Sequence, residues 1–429
     1  MPADTKRASA TAIGAWVLYD WSYGAYTTIV STFVFATYFT QGVAPDPATG
    51  ASWWAGGQAL AGVLIALLSV PLGAIADQGG RRRSMLGGCT AIMVVCTLAL
   101  WFVRPNPSYA ALALALVVVG TIAFEVASVF YNAMLPDLVP PARIGRLSML
   151  GWGAGYAGGL VALGLCLVVL ISPATPPFGL DRAAAEQVRA TALLAGTWLA
   201  LFGWPVSVFV PEAGRRAAWG VALRRGLGEL RAVLRDLRHE RTLSRFLLAR
   251  LFYIDGLNTL FAFGGIYAAG EFGLDAQQVL IFGIVLNVSS GVGALGFAFA
   301  DHRLGAKATI LISVLALTGL SITLLLIHGL AMFWVLGTVL GLFVGPAQAA
   351  SRSMMAQMAP PDARAAWFGL FALSGRVTAF FGPLVLGVLT AIWHSQRVGM
   401  AVIPVFLLLG AMLLINVPSP AADAGAAGE

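Results

Sequence analysis

Apolar residues in this chain gather into long unbroken runs, and most of the charged residues are confined to the short segments between them. Runs of about 20 residues recur, each long enough to cross a hydrocarbon core of roughly 30 Å at a helical rise of 1.5 Å per residue. Spans are predicted at about residues 12 to 40, 52 to 76, 84 to 103, 109 to 135, 148 to 171 and 190 to 210, then at 244 to 269, 276 to 300, 308 to 327, 330 to 356, 367 to 392 and 398 to 416. Between the sixth and seventh, Trp219, Leu223, Leu227, Leu230, Leu234 and Leu237 recur every three or four residues among arginines running from Arg215 to Arg241. That period predicts an amphipathic helix lying on the inner leaflet. The expectation is an all-α membrane protein with an N-terminal six-helix bundle over residues 1–210, a cytoplasmic amphipathic linker over 211–243, a C-terminal six-helix bundle over 244–417 and a disordered cytoplasmic tail over 418–429.

Composition agrees: 59% of the residues are hydrophobic and 10% charged, and the mean hydropathy is +0.84, values far from those of a water-soluble domain. The net charge of +7 does not point to a nucleic-acid partner, because the arginines sit in short loops between apolar spans. Their placement gives orientation instead, since Lys and Arg flanking spans are retained in the cytoplasm. Lys6, Arg7, Arg81 to Arg83, Arg143, Arg146, the central loop, Arg303, Lys307 and Arg364 fall on one side, against only Arg104, Arg182, Arg189 and Arg397 on the other. Both termini are therefore expected in the cytoplasm. The first apolar stretch is too long for a signal-peptide core and reads as an uncleaved span. A scarcity of lysine beside abundant Arg, Ala and Gly suggests a GC-rich bacterial genome, hence a bacterial cytoplasmic (inner) membrane. Cys89, Cys96 and Cys166 lie in apolar segments without a CxxC pair, so no disulfide framework, metal or cofactor is expected.

An ionisable side chain at bilayer depth costs at least about 2.5 kcal/mol on insertion scales and should face a cavity or a partner. Asp20 in span one, Glu125 in span four, Arg250 and Asp255 in span seven, Arg352 in span ten and Arg376 in span eleven are such residues. This distribution matches two bundles in which the first, fourth, seventh and tenth helices line a central cavity while every third helix faces lipid. Asp20, Glu125, Asp255 and Arg376 fall at similar depths, so they could share one substrate or ion site. A carboxyl group can trade its charge for a proton, which makes Asp20, Glu125 and Asp255 candidates for coupling. Arg250 and Arg376 suit a substrate carboxylate, which a guanidinium grips with two parallel hydrogen bonds, and Asn258 adds a polar group nearby. Structural ion pairs or gate latches are the competing assignment, favoured for Asp20 and for Arg352 near the cytoplasmic end.

The halves echo each other. Pro140-Pro141, Arg143 and Gly155 recur as Pro360-Pro361, Arg364 and Gly375, and Tyr19-Asp20-Trp21 has a looser counterpart in Tyr253-Ile254-Asp255. Duplicated six-span halves are a transporter signature. After span two the chain reads Gly73-Ala-Ile-Ala-Asp77-Gln-Gly-Gly80-Arg81-Arg82-Arg83, with a degraded copy, Asp301-His-Arg303-Leu-Gly305-Ala-Lys307, after span eight. Gly73 suits close helix approach and Gly80 a tight turn, Asp77 can cap the N-terminus of span eleven, and Asp137 is a candidate partner for Arg81 or Arg82. The stretch resembles the cytoplasmic loop signature of the major facilitator superfamily, which implies that fold.

More narrowly, Leu18-Tyr19-Asp20-Trp21, Phe130 to Asp137, Gly151 to Gly159, Gly264-Gly265-Ile-Tyr267 and Gln348-Ala-Ala-Ser351-Arg352-Ser353 resemble the autophagy-related vacuole-effluxer-like branch of that superfamily. In its fungal vacuolar members the implied activity is amino-acid efflux. Gly153-x-Gly155-x-x-Gly158 and Gly291-x-Gly293-x-x-Gly296 fit a dinucleotide-binding pattern literally, but both lie inside apolar spans and follow no strand. Small residues at this spacing serve close helix packing, and spans five and eight are expected to meet and slide along them. The leading expectation is a secondary active transporter, not an enzyme, that moves a small polar solute by alternating access, with membrane lipid and possible protons as further partners. A drug/proton antiporter and a non-transporting receptor or scaffold stay open. The four histidines form no metal-ligand cluster, and no nucleophile-and-base pattern is visible.

Overall fold

The computed structural model describes residues 8–173, 175–212, 217–376, 379 and 381–419. Lys6, Arg7, Arg215, Arg216 and the tail from position 420 onward lie outside the described residues, as do the side chains of Trp219, Leu227, Leu230, Leu234, Leu237's neighbour Arg238, Asp301, His302 and Arg303.

The chain begins with α1 (Ala10–Ala25), whose N-terminus is capped by the Ser9 hydroxyl accepting from the Ala12 amide at 3.1 Å. The rest of the first crossing is irregular: π-helical segments at Tyr26–Phe33 and Phe39–Val43 flank the short α2 (Phe35–Tyr38). α3 (Pro47–Gly79) starts from Asp46, whose carboxylate accepts from the Thr49 amide and hydroxyl. Those two bonds hold the Asp46 carboxyl below its usual range. The cap is therefore fully made above the unfolded carboxylate pKa and is lost only as pH falls through the lowered one. Gly80 ends α3 in the left-handed region at φ 57°, the conformation that glycine adopts at least cost.

α4 (Arg82–Ala99), α5 (Ala110–Leu138), α6 (Pro141–Leu165, continued by π-helical Cys166–Ile171) and α7 (Glu186–Phe209) follow. The amphipathic α8 (Trp219–His239) leads to α9 (Arg241–Phe272) and α10 (Ala276–Leu326). Gly305, at φ 73° and ψ 162°, breaks α10 into two crossings, Gln277–Phe299 and Leu304–Leu326. α11 (Leu330–Met358), α12 (Arg364–Ser374), α13 (Phe381–Trp393), α14 (Gln396–Met400) and α15 (Val402–Ile415) complete the chain.

Among the described residues, ten helices are long and apolar enough to cross a membrane, and each overlaps one predicted span. The first and eleventh spans are instead built from shorter helices, α1 with α2 and α12 with α13. Leu67, Val95, Val168 and Leu326 stand exposed on the helix surfaces. Lipid solvates such an apolar face, and helices keep their backbone polar groups satisfied within it.

By packing, the chain divides into two compact units, residues up to 138 with 154–227, and 139–153 with residues from 228 onward. The core of the first gathers Tyr26, Ile29, Phe35, Phe39, Met93 and Leu199. In the second, Phe246, Tyr253, Phe333, Phe368 and Leu407 are buried.

The start of α8 does more than lie on lipid. Ala222 is fully buried, a Cβ on Gly226 would stand 2.9 Å from Ile75 Cα, and the Ala217 amide donates to Gly79 O at 3.2 Å. Val221, Leu223, Arg224 and Arg225 point away, exposed. The helix therefore docks its small-residue face on the end of α3. Gly226→Leu is expected to undock it and to speed tryptic cleavage at Arg224 and Arg225 several-fold. An unchanged cleavage rate would mean that the glycine contact does not hold the helix.

Candidate functional site

The loop between α3 and α4 is built around Arg82. Its Nε donates to Asp77 Oδ1 at 2.6 Å and its Nη1 to Asp137 Oδ2 at 3.2 Å. The Asp77 side chain is fully buried and that of Arg82 nearly so, whereas Asp137 is partly exposed. Of the two arginines considered as partners for Asp137, the structure selects Arg82. Arg81 donates from Nη2 to Ala217 O at 3.1 Å, so it holds the segment leading into α8. The Arg83 amide donates to Glu212 Oε1 at 2.8 Å, and its guanidinium reaches Val210 O at 3.0 Å. These arginines are thus wired individually to the ends of α3, α5 and α7 and to the segment leading into α8. Gly73 is buried in α3.

In the first unit, Asp20 is buried in α1 and Glu125 is half-buried in α5. Aromatic side chains that the hydropathy pattern does not single out surround this pair of helices. Trp16 stacks on Tyr131 at 4.4 Å between centroids and Tyr23 on Phe124 at 4.0 Å. Trp16 Nε1 donates to Tyr131 O at 3.1 Å while Tyr131 Oη donates to Trp16 O at 3.0 Å, a reciprocal pair that fixes both rings. Tyr19 Oη lies 3.0 Å from Thr90 Oγ1. The signal for this cluster was available in the recurrence of Trp16, Tyr19, Tyr23 and Tyr26 at three- and four-residue spacing.

In the second unit, three candidates from α9 meet at one place, the interruption between α12 and α13. Arg250 Nη1 donates to Phe371 O at 2.6 Å and to Ser374 Oγ at 2.7 Å, and its guanidinium lies over the Phe371 ring at 3.5 Å. Asn258 Nδ2 donates to Gly375 O at 3.3 Å. Asp255, 2% exposed, accepts from the Gly382 amide through Oδ2 at 3.1 Å. Arg376 stands exposed in the same interruption. Arg250, placed by sequence as a grip for a substrate carboxylate, here holds the end of a half-helix.

Arg352 is buried in α11. Its Nε donates to Ser148 Oγ at 2.8 Å and its Nη2 to Ser148 O, while Ser148 Oγ donates to Ala349 O at 2.7 Å. Next to it, Tyr253 Oη lies 2.6 Å from Ser351 Oγ. This polar knot, all within the second unit, joins α6, α9 and α11. Among the described residues no group of His, Cys, Asp and Glu has the arrangement of a metal site.

The glycines of span five pack on α1. A Cβ on Gly158 would lie 2.1 Å from Trp21 O, one on Gly159 2.8 Å from Gly24 O, and one on Gly155 3.2 Å from Asp20 O. Gly153 faces span eight, against Leu295. In span eight, Gly293 packs on Leu342 of α11. Gly155, Gly158, Gly159 and Gly293 thus make helix contacts within their own units.

The chain has the fold of the major facilitator superfamily. With a TM-score of 0.70 and 13% identity, the chain superposes on the proton:xylose symporter XylE over 95% of its own length and 96% of that chain. The human organic anion transporter MFSD10 matches with a TM-score of 0.71 and 17% identity over 94% of this chain and 99% of the other. At these identities the likeness is one of fold. Within the superfamily, the chain belongs to the family described as vacuole effluxer Atg22 like, which matches residues 43–426. A bacterial relative, the uncharacterized MFS-type transporter YxiO of Bacillus subtilis, is 25% identical over 407 residues, 94% of each chain. Autophagy-related protein 22-1 of Aspergillus niger is 25% identical over 299 residues, and this chain spans only 46% of that protein's length. The protein is accordingly a multi-pass membrane transporter and not an enzyme.

Proposed function

We propose that the chain moves a small polar solute across a bacterial cytoplasmic membrane by alternating access, coupled to protons, with both termini in the cytoplasm and two six-helix halves joined by the linker. The observation that carries this reading is the burial of ionisable groups of both signs inside apolar helices: Asp20 is 7%, Asp255 2% and Arg352 4% exposed. Such groups are costly at membrane depth unless they face a wet cavity or a partner, and by default they mark a solute or ion path. Residues of both signs suit a zwitterionic or anionic metabolite, such as an amino acid. The orientation is supported by the arginine-rich loops.

The test is solute counterflow in proteoliposomes, with solutes chosen by a thermal-shift screen of amino acids, peptides, nucleosides and organic acids. A ligand that selects the native state raises the apparent melting temperature. Exchange of a stabilising solute supports transport, whereas stabilisation without exchange identifies a receptor or scaffold.

Arg352 belongs to this reading as a cytoplasmic latch on Ser148. Ser148→Ala removes the hydroxyl contact while the carbonyl contact remains. It is expected to weaken the latch by about 1 kcal/mol, and so to change counterflow rates several-fold with little loss of folded protein. Unaltered rates would remove Ser148 from the transport cycle.

A further inference from the structure

α9 addresses both ends of the interrupted eleventh span with groups of the right sign. Arg250, positively charged, sits at the C-terminal end of α12, where free carbonyls carry partial negative charge. Asn258 holds the next carbonyl, that of Gly375. Asp255, negatively charged, sits at the N-terminal end of the 13-residue α13, where free amides carry partial positive charge. Half-helix ends held by side chains at membrane depth are where transporters bind small ions.

The two oxygens of Asp255 are served unequally. Oδ2 takes the Gly382 amide, but Oδ1 is buried with no hydrogen-bond partner among the described residues. It points at the start of α13, 3.4 Å from where a Cβ of Gly382 would stand, and the Thr259 hydroxyl beside it is committed to Asp255 O at 2.8 Å. A carboxylate has about four acceptor positions, so a single donor in an apolar surrounding leaves the charge poorly compensated.

Four described charged or titratable groups on α9 and on elements packed against it are engaged elsewhere. Tyr253 on α9 itself meets Ser351, Arg352 on α11 meets Ser148, Arg397 on α14 pairs with Glu271 at 2.7 Å, and Lys307 on α10 donates to Ile415 O. Arg364 opens α12, Arg376 is exposed in the interruption, and α13 and α15 carry no charged residue. Among the described residues none of these forms an ion pair with Asp255.

We propose that Asp255 Oδ1 is the proton-exchange site of this transporter, and that the charge on Asp255 latches the eleventh span. As a carboxylate, Asp255 holds the N-terminus of α13 through the Gly382 amide and the helix dipole. When a hydronium ion gives its proton to Oδ1, one of its O–H bonds breaks to leave water, one O–H bond forms on Oδ1, the carboxylate charge is lost and the dipole attraction goes with it. α13 is then free to part from α9 while Arg250 and Asn258 keep α12 in place. Proton uptake thereby becomes movement of one half-helix. The proposal rests on the transport reading for its role but not for its test.

Hydrogen exchange of the full chain in lipid nanodiscs, followed by mass spectrometry and corrected for the intrinsic pH dependence of exchange, reads the latch directly. Protection at the start of α13 is expected to fall about tenfold as the pH is lowered across the titration of Asp255. Asp255→Asn is expected to hold it low at every pH, and Asp255→Glu to keep the pH dependence with a displaced midpoint. Flat protection in the native chain, or a native profile in either variant, overturns the proposal. Should Asp255→Asn fail to fold, Asp255→Glu decides alone. Counterflow without the pH-dependent protection would sink the latch and leave transport standing, and the reverse result would sink transport and leave the latch.

Discussion

Arg82→Ala is expected to remove most of the folded protein, because both charges that it joins sit at the helix end that repels them. Asp77 lies in the last turn of α3, where the helix dipole is negative, and Arg82 is the first residue of α4, where it is positive. Each offsets the other at 2.6 Å, with Asp137 as a third member at 3.2 Å. Taking away the guanidinium removes the 2.6 Å ion-pair partner of the fully buried Asp77 side chain. Breaking a buried pair from one side costs about 3–5 kcal/mol, a large share of the roughly 5–15 kcal/mol that holds a domain folded. Arg82→Lys restores charge without the two-pronged reach of a guanidinium and should fall between. Asp137→Asn should cost least, since that carboxylate is partly solvated. Melting of the detergent-solubilised protein, followed by size-exclusion chromatography, orders the three. An Arg82→Ala protein that melts with the native one would show that the network does not stabilise the fold.

How much of this was readable from sequence depends on whether the cause is local. Apolar runs located ten regular crossings because burial in lipid needs only length and composition. The Gly80 turn was legible from spacing, since a left-handed glycine is a local requirement, whereas Asp77 was expected to cap the N-terminus of span eleven and its pair with Arg82 was not read. The interruption of span eleven was not. The sequence around the turn residues Gly375, Arg376 and Ala379 is apolar enough to be taken straight through, and the groups that hold the end of α12 and the start of α13 come from α9, more than 100 positions earlier. The same distance in sequence hid the role of Arg250. Its charge at depth was conspicuous, but the partners that occupy it, Phe371 O and Ser374 Oγ, are fixed by tertiary packing. In span one, the π-helical Tyr26–Phe33 was equally hidden, because hydropathy does not distinguish a π turn from an α turn.

The glycine pattern yields the second large effect, because identical motifs make opposite predictions position by position. A Cβ at Gly293 would lie 1.9 Å from Leu342 O, and at Gly158 2.1 Å from Trp21 O. Both obstacles are backbone atoms of a neighbouring helix, which cannot rotate aside as a side chain can. Alanine at either position must push two helices apart and is expected to cost about 3 kcal/mol or more. Gly296, in the same motif as Gly293, and Gly164, one helix turn and a half beyond Gly158, have nothing within 4 Å of a Cβ. There alanine removes only the backbone freedom of glycine and should stabilise by roughly 0.5–1 kcal/mol. Gly158→Ala and Gly293→Ala should therefore lower the melting temperature while Gly164→Ala and Gly296→Ala raise it slightly. If all four moved together, glycine content rather than helix-to-helix contact would govern stability, and the close approach of α1 to α6 and of α10 to α11 would have to be abandoned as its cause.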